Sequence, residues 1–355
     1  MPLPQPPIDV AAAPRAGARA KIAGVATHLP EQILDNATLA EQFPGWSEDK
    51  IFDKTGIRQR HVAASGETAL DLGEAAARKL LEGGTCAAED VDFIVFCSQA
   101  SDYVLPTSAC LLQHRLGLGT GIGALDINLG CSGFVYGLSI ASGLIAAGVA
   151  RGVLLVTADT YSKYIHPRDK SVRTLFGDGA AATFVTAAAG DDPAWIGPFV
   201  FGTDGSGGAS LIVEAGGFRL PASADTAIEE EDRSGNVRTR GHLYMDGAAV
   251  MTFSLREVPR TYRALLERTG TTAADYDHVV LHQANRFMID ALQRKLGLPD
   301  AQVPRFYETV GNTVSSTIPF VLASLSAEGR LTSGTRAMLI GFGVGLSWAG
   351  AAITF

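Results

Sequence analysis

The sequence predicts an α/β fold in which helices cover both faces of a largely parallel sheet. Apolar runs of strand length alternate with helical patterns along the chain, the order typical of such sheets. Hydrophobic residues make up 46% of the 355 positions, enough for one large or two medium cores. From its length alone, the chain is expected to consist of two halves of roughly 160 residues each. We place them at 21–190 and 191–355.

In the first half, short apolar runs predict buried strands and the segments between them predict helices. The strands are expected at 21–29, 92–99, 123–129, 152–159 and 180–187. The helices are expected at 67–83, 106–116 and 131–148.

The second half repeats this order of elements. Strands are expected at 195–203, 277–283, 303–308, 336–344 and 345–355, and helices at 246–269, 285–296 and 315–328. The region 204–241 is rich in Gly and then in charged residues, which predicts an excursion over the surface.

Composition and charge exclude several classes of function. Residues 1–20 are rich in Pro and Ala and predict a disordered tail, with no apolar run long enough for a signal peptide. The apolar stretch at 134–149 is too short to span a membrane and contains Ser and Gly. The net charge of −8 shows no basic bias towards nucleic acid. We therefore expect a cytoplasmic protein with neither a nucleic-acid nor a membrane partner.

The cysteines predict neither disulfides nor a metal site. They form no CxxC pair, and no His lies near them at zinc-ligand spacing. Four free thiols in a reducing compartment are expected: Cys86, Cys97, Cys110 and Cys131.

The segment "LDINLGCSGFVYGL" (125–138) places Cys131 on a glycine-flanked corner between a predicted strand and a predicted helix. A helix N-terminus carries partial positive charge and free N–H groups, which stabilise a thiolate and lower the pKa of a thiol. The glycines allow a substrate to approach closely. The alternative is that Cys131 is a small buried core residue.

Three further segments place polar groups or glycines at the ends of predicted strands. His282 ends the run "VVLH", where open α/β sheets place ligands, although it could be an ordinary buried histidine. Asn312 in "VGNTVSSTIPF" could be a substrate donor or a helix cap. The glycine-rich "LIGFGVGLSW" (339–348) could form a tight hairpin or direct a backbone N–H at a substrate oxygen.

Together these segments resemble the thiolase superfamily and, within it, β-ketoacyl-[acyl carrier protein] synthase III. The resemblance covers residues 21–355. Its motifs, in order, are "KTGIRQRH" (54–61), "GCSGF" (130–134), "FGDGAAA" (176–182), "HQAN" (282–285), "GNTVSSTIP" (311–319) and "FGVGLSWAGA" (342–351). It implies a thiolase-like fold of two duplicated βαβαβαββ halves, layered α-β-α-β-α.

The resemblance implies an acyltransferase of fatty-acid biosynthesis that joins an acyl group to malonyl-carrier protein with loss of carbon dioxide. Cys131 would be the nucleophile, with its own N–H and that of Val344 as the oxyanion hole. His282 and Asn312 would hydrogen-bond the enolate oxygen. In the substrate pocket, Phe342 would form the wall behind the cysteine and Asn285 would be a further lining residue. No cofactor or metal is implied; the substrates are acyl-CoA or acyl-carrier protein and malonyl-carrier protein.

The sequence departs from the family at the CoA-binding positions. Relatives primed by CoA often carry a Trp and an Arg that clamp the adenine, where this chain aligns Lys50 and Lys170. Lysine offers no stacking face, so these two positions predict no adenine clamp. If the alignment is shifted by a few residues, Trp46 performs the stacking.

Two expectations about partners come from the resemblance. The family is homodimeric, and Leu105, just before Pro106, would line the acyl pocket of the partner subunit. An acidic carrier protein would need a local basic patch, for which the candidates lie on the helix after His282: Arg286, Arg294 and Lys295.

Three functions remain open at this point. The first is a condensing enzyme that starts acyl chains. The second is a relative adapted to a natural-product or polysaccharide pathway, with a non-standard donor or acceptor. The third, a non-catalytic partner subunit, is disfavoured by the intact Cys131, His282 and Asn312. The chain lacks the second cysteine of degradative thiolases and the motif of the catalytic glutamate of hydroxymethylglutaryl-CoA synthases.

Overall fold

The computed structural model describes residues 17–355. The predicted tail at 1–20 therefore falls mostly outside the described residues, and Ala20 already begins the first strand. In chain order the strands are β1 Ala20–His28, β2 Gln32–Asp35, β3 Gln59–Val62, β4 Phe93–Cys97, β5 Gly123–Ile127, β6 Gly152–Asp159, β7 Gly179–Ala187, β8 Trp195–Thr203, β9 Leu211–Ile212, β10 Glu230–Glu231, β11 Val237–Arg238, β12 Tyr244–Met245, β13 His278–Leu281, β14 Arg336–Gly343 and β15 Ser347–Thr354. The helices are α1 Asn36–Gln42, α2 Glu48–Thr55, α3 Ala69–Glu82, α4 Ser108–Arg115, α5 Gly133–Ala146, α6 Lys170–Arg173, α7 Gly247–Thr269, α8 Arg286–Leu296 and α9 Thr317–Ala327.

Two larger sheets organise the molecule, and both are mixed. The first has the order β1-β7-β6-β4-β5, and the second has the order β13-β14-β15-β8. Pairing is parallel for β4 with β5, β4 with β6 and β13 with β14, and antiparallel elsewhere in these sheets. The α/β class is confirmed, but the expected largely parallel sheet is wrong. One reason is that β14 returns directly into β15 through a short turn, which only an antiparallel pair allows.

Helices fill the layers outside and between the two sheets. Helices α5 and α9 lie between them and share a core with both, formed around Phe134, Leu155, Leu322 and Leu339. Helices α3 and α4 cover the outer face of the first sheet, and α7 and α8 cover that of the second. The result is the layered α-β-α-β-α sandwich that the resemblance implies.

The predicted strand at 303–308 is wrong. The segment is irregular, ends in a turn and pairs with no strand; the side chain of Gln283 bonds to its backbone instead. Its Oε1 accepts from the Phe306 N–H at 3.0 Å, and its Nε2 donates to the Pro304 carbonyl at 3.4 Å. Pro304 also has no N–H to offer a neighbouring strand.

The region 204–241 is more than a surface excursion. Strand β9, inside it, pairs with β12, which follows it, and brings Leu211 and Met245 together. An ion pair from Arg238 to the buried Asp169, at 2.8 Å, ties the region to the turn before α6. This region therefore packs beside the site described next.

Candidate active site

The three predicted catalytic residues meet in one cavity. Cys131, His282 and Asn312 all line a cavity of about 450 Å³, although they lie far apart in the sequence. They are buried, with exposed fractions of 6%, 2% and 5%. Exposed residues of the same lining, Lys54 and Phe287, show that the cavity reaches the surface.

Cys131 lies four residues after β5 and two before the first residue of α5, so it precedes the helix that it was predicted to start. Burial raises the pKa of its thiol to about 12, and the nearby Asp159 carboxylate adds to the rise. Hydrogen bonds from the N–H groups of Cys131 and Val344 lower the pKa but do not outweigh burial. The predicted low thiol pKa is therefore wrong, and the resting thiol is protonated.

The glycine-rich hairpin leaves room for the cysteine. A Cβ on Gly343 would lie 3.0 Å from the Cys131 Sγ, and one on Gly341 would lie 2.7 Å from the Cys131 carbonyl oxygen. Both contacts are closer than side chains tolerate. Glycine is needed here for close approach, and it places the Val344 N–H beside the sulfur.

His282 follows β13 directly, as predicted, and its ring is held by two contacts. Nδ1 lies 2.7 Å from the Thr317 Oγ1, and the ring meets the Phe342 ring edge to face at 5.5 Å between centroids. Burial lowers the pKa of His282 to about 3, so the imidazole is neutral. Thr317 can also donate to the Val314 carbonyl, at 3.2 Å. If the Thr317 hydroxyl donates to the Val314 carbonyl, Nδ1 of His282 carries the ring proton and Nε2 is an acceptor. If the hydroxyl donates to Nδ1, Nε2 carries the proton and is a donor.

Asn312 presents its amide nitrogen to the cavity. Its Oδ1 accepts from the Val314 N–H at 2.9 Å, which leaves Nδ2 as the free donor. Val314 has φ +54°, a costly conformation for a β-branched residue. The bond from Val314 to Asn312 is one contact that holds the loop in this conformation.

Asp159 holds this loop in place through hydrogen bonds, a role that was not predicted from the sequence. Its carboxylate accepts from the Ser315 N–H at 3.2 Å, from the Ser315 hydroxyl, and from the Gln99 N–H at 2.9 Å. Burial raises the pKa of Asp159 to about 7. The signal in the sequence was a carboxylate at the end of an apolar strand, "GVLLVTAD".

The other predicted pocket residues divide into two groups. Phe342 and Asn285 line the cavity, and Asn285 also caps α8 by accepting from the Met288 N–H. Leu105 does not line it; it is 80% exposed, beside the exposed Tyr103 and Val104.

Of the residues considered for donor binding, two line the cavity: Lys170 and the alternative Trp46. Lys50 does not line it. The Lys50 ammonium instead lies 5.3 Å from the centroid of the Trp46 ring and donates to the Gly45 carbonyl. Lys170 donates to the Ser234 carbonyl at 2.5 Å. The structure thus favours the alternative in which Trp46 is the aromatic at this position, and Lys54 is a lining residue that the sequence analysis missed.

The predicted basic patch on α8 is only partly available. Arg286 donates to the carbonyls of Phe52 and Asp53 at the end of α2, at 3.1 and 2.7 Å. Arg294 and Lys295 are exposed but do not line the cavity. Within residues 17–355, no cluster of three or more His, Cys, Asp or Glu could hold a metal ion. None of the helices in this range combines the length and the apolar composition of a membrane span.

Comparisons with known proteins agree with this geometry. Models of 3-oxoacyl-[acyl-carrier-protein] synthase III match residues 125–205, and models of its C-terminal part match 266–355. The β-ketoacyl-[acyl-carrier-protein] synthase III of Caldanaerobacter subterraneus is 35% identical over 94% of this chain and 97% of its own length.

Solved structures give the same result. A 3-oxoacyl-(acyl-carrier-protein) synthase III structure is 60% identical, with a TM-score of 0.93, and covers 95% of this chain and 100% of that one. The priming β-ketosynthase of the R1128 polyketide pathway is 33% identical, with a TM-score of 0.83 and coverage of 97% and 99%. The chain belongs to the β-ketoacyl-[acyl carrier protein] synthase III family of condensing acyltransferases, within the thiolase superfamily.

Proposed function

We propose that this enzyme loads an acyl group onto Cys131 and condenses it with a malonyl group carried on acyl carrier protein. The observation that supports this best is the meeting of Cys131, His282 and Asn312 beside the Val344 N–H in one cavity. A nucleophile, a proton acceptor or donor, an amide donor and a backbone donor are the groups that two successive acyl-transfer steps require.

Loading begins with a protonated thiol. The neutral His282 takes the thiol proton as the Cys131 Sγ attacks the thioester carbonyl, and the N–H groups of Cys131 and Val344 hold the oxyanion. The bond from the carbonyl carbon to the donor sulfur then breaks, and the proton returns to the departing thiolate. Here Thr317 donates to the Val314 carbonyl, so that Nε2 can accept.

Condensation uses the same histidine in its other tautomer. Thr317 donates to Nδ1, so that Nε2–H and the Asn312 amide donate to the malonyl thioester oxygen. The C–C bond to the carboxylate breaks, carbon dioxide leaves, and the electron pair forms the enolate. Its carbon attacks the acyl carbonyl, the bond from that carbonyl carbon to the Cys131 sulfur breaks, and a β-ketoacyl thioester is released. The departing Cys131 thiolate takes one proton from solvent, which restores the resting thiol.

A panel of donors tests the loading step. Purified enzyme is incubated with acyl-CoA, acyl-carrier protein and acyl-pantetheine and weighed intact. A mass increase on the parent and none on Cys131→Ala supports the proposal. Acylation of Cys131→Ala at the same rate, or no mass increase with any donor, contradicts it.

A specialised pathway is the second candidate. The similarity to a polyketide priming synthase and the lysines at the cavity, Lys54 and Lys170, favour it. A parent that loads from acyl-carrier protein and ignores acyl-CoA would support this candidate over the first.

We also propose a homodimer. Tyr103, Val104 and Leu105 form an exposed apolar loop, with exposed fractions of 60%, 88% and 80%. A partner subunit that covers this loop would remove it from water and bring Leu105 to its acyl pocket. Light scattering that shows a monomer with full activity at micromolar concentration would contradict the dimer.

A further inference from the structure

A second cavity lies beside the catalytic one. It measures about 480 Å³ and has a mixed lining. Its apolar part includes Ile33 and Leu34 of β2, Val62 of β3, and Ile165, and its polar part includes Gln32 and Ser162. We call it the hairpin cavity, after the β2–β3 hairpin. Phe176 lines both this cavity and the catalytic cavity, so its ring is a shared wall.

One charged side chain, Arg173, lines the hairpin cavity. It is the last residue of α6, whose first residue, Lys170, lines the catalytic cavity. Among the described residues, its guanidinium makes no hydrogen bond and no ion pair, and its Nε is buried without a partner.

The surroundings of Arg173 leave its charge uncompensated. Burial alone lowers the pKa of Arg173, with no carboxylate acting against it. The fully buried Arg60 is close enough for its pKa to be lowered further by the Arg173 charge, and its Nε also lacks a partner. No acidic side chain lines the hairpin cavity. The buried Asp178, behind two lining residues, already accepts from the Ser162 N–H and the Ala63 N–H.

A half-buried guanidinium without a partner favours an anion, because an arginine fork binds a carboxylate through paired N–H donors. The apolar part of the cavity lining favours a carbon chain attached to that anion. The geometry points to an acyl donor whose distal end is a carboxylate: its chain passes Phe176 from Cys131, and its carboxylate binds Arg173. This inference rests on the proposed function and names its substrate class, ω-carboxyacyl thioesters.

The covalent step is unchanged by the distal carboxylate. The Cys131 sulfur bonds to the thioester carbon, the bond from that carbon to the CoA sulfur breaks, and the thiol proton ends on CoA. The distal carboxylate takes no part in the reaction and is only bound.

Matched donors test the inference. Rates of Cys131 acylation are measured by intact mass with succinyl-, glutaryl- and adipyl-CoA and with the ω-methyl ester of each, which keeps the chain and removes the charge. For at least one length, the parent should load the carboxylate faster than its ester. Arg173→Met should lower that carboxylate-to-ester ratio by about 10- to 100-fold, typical of the loss of a charged hydrogen bond.

Two variants complete the test. Arg173→Lys keeps the charge and should retain part of the ratio, and the exposed Arg233→Met removes a charge elsewhere and should leave the ratio unchanged. The inference is overturned if the parent enzyme loads no carboxylate donor faster than its ester, or if Arg173→Met leaves the carboxylate-to-ester ratio unchanged. Either result is expected if a carboxylate of a partner subunit already neutralises Arg173. If Cys131 is acylated neither by these donors nor by any donor of the loading panel described above, the proposed function itself is wrong.

Discussion

Replacing Asn312 by Ala should separate the two half-reactions. The Val314 N–H donates to the Asn312 Oδ1, which leaves the Asn312 Nδ2 to donate to the substrate. Asn312→Ala removes that donor. Loss of one donor to a developing oxyanion costs about 10²- to 10³-fold in rate. We expect the release of carbon dioxide from malonyl-carrier protein to fall by that factor while acyl loading remains close to the parent rate.

The same variant should lose some stability. The Val314 N–H would be left buried without its partner, at a cost of about 1–3 kcal/mol. Asn36→Ala is a matched control, because Asn36 is equally buried, at 5% exposed, and bonds to Ile57 and Arg60 away from the cavity. It should lower the melting temperature without the loss of decarboxylation.

The assay measures each step alone. Loading is followed by intact mass with acyl-CoA, and decarboxylation by release of labelled carbon dioxide from malonyl-carrier protein with enzyme already acylated. Equal loss of both steps in Asn312→Ala, or loss of decarboxylation in Asn36→Ala, would show that Asn312 supports the fold and does not bind the enolate.

Three further predictions concern the cysteine and the donor. Because the pKa of Cys131 is raised to about 12, its thiolate fraction should rise about tenfold per pH unit from pH 7 to 10, whereas that of free cysteine levels off near its pKa of about 8.5. The rate of Cys131 alkylation by iodoacetamide, followed by peptide mass spectrometry, measures this fraction. A rate that stops rising below pH 8 would contradict the prediction. Gly343→Ala places a methyl group against the Cys131 Sγ and should slow loading and lower the free energy of unfolding by about 1–3 kcal/mol, the cost typical of overpacking, with the unobstructed Gly143→Ala as control; loading and stability equal to those of the parent would refute the close packing. Trp46→Ala should raise KM for acyl-CoA by about 2- to 10-fold relative to acyl-pantetheine, the value of one stacked aromatic, and Lys50→Ala should not; the reverse pattern would restore Lys50 as the contact.

The α/β class and the positions of the main strands could be predicted from the apolar runs, because these are local signals. The layered sandwich was implied only by the family resemblance, and the mixed strand directions were not predicted. The segment 303–308 shows where this fails. Its apolar and aromatic residues are typical of a strand, but its hydrogen-bond partner is the side chain of Gln283, which no periodicity reveals.

The site was predicted in its residues but not in its electrostatics. Cys131 and His282 could be found from motifs, yet the thiol pKa depends on burial and on Asp159, which only the packed structure brings near. The shared wall at Phe176 and the unpartnered Arg173 could not be predicted either, because they depend on how α6 and the residues after it pack between the two cavities.

The central claim is that Cys131 carries an acyl group which is then joined to a decarboxylated malonyl unit. Intact mass spectrometry of acyl carrier protein, after incubation of malonyl-carrier protein with the enzyme and butyryl-CoA, tests this most directly. We predict a carrier protein that has lost carbon dioxide and gained the butyryl group, with no such product from Cys131→Ala. Malonyl-carrier protein that stays unchanged beside an acylated Cys131, or the same product from Cys131→Ala at the parent rate, would contradict the account.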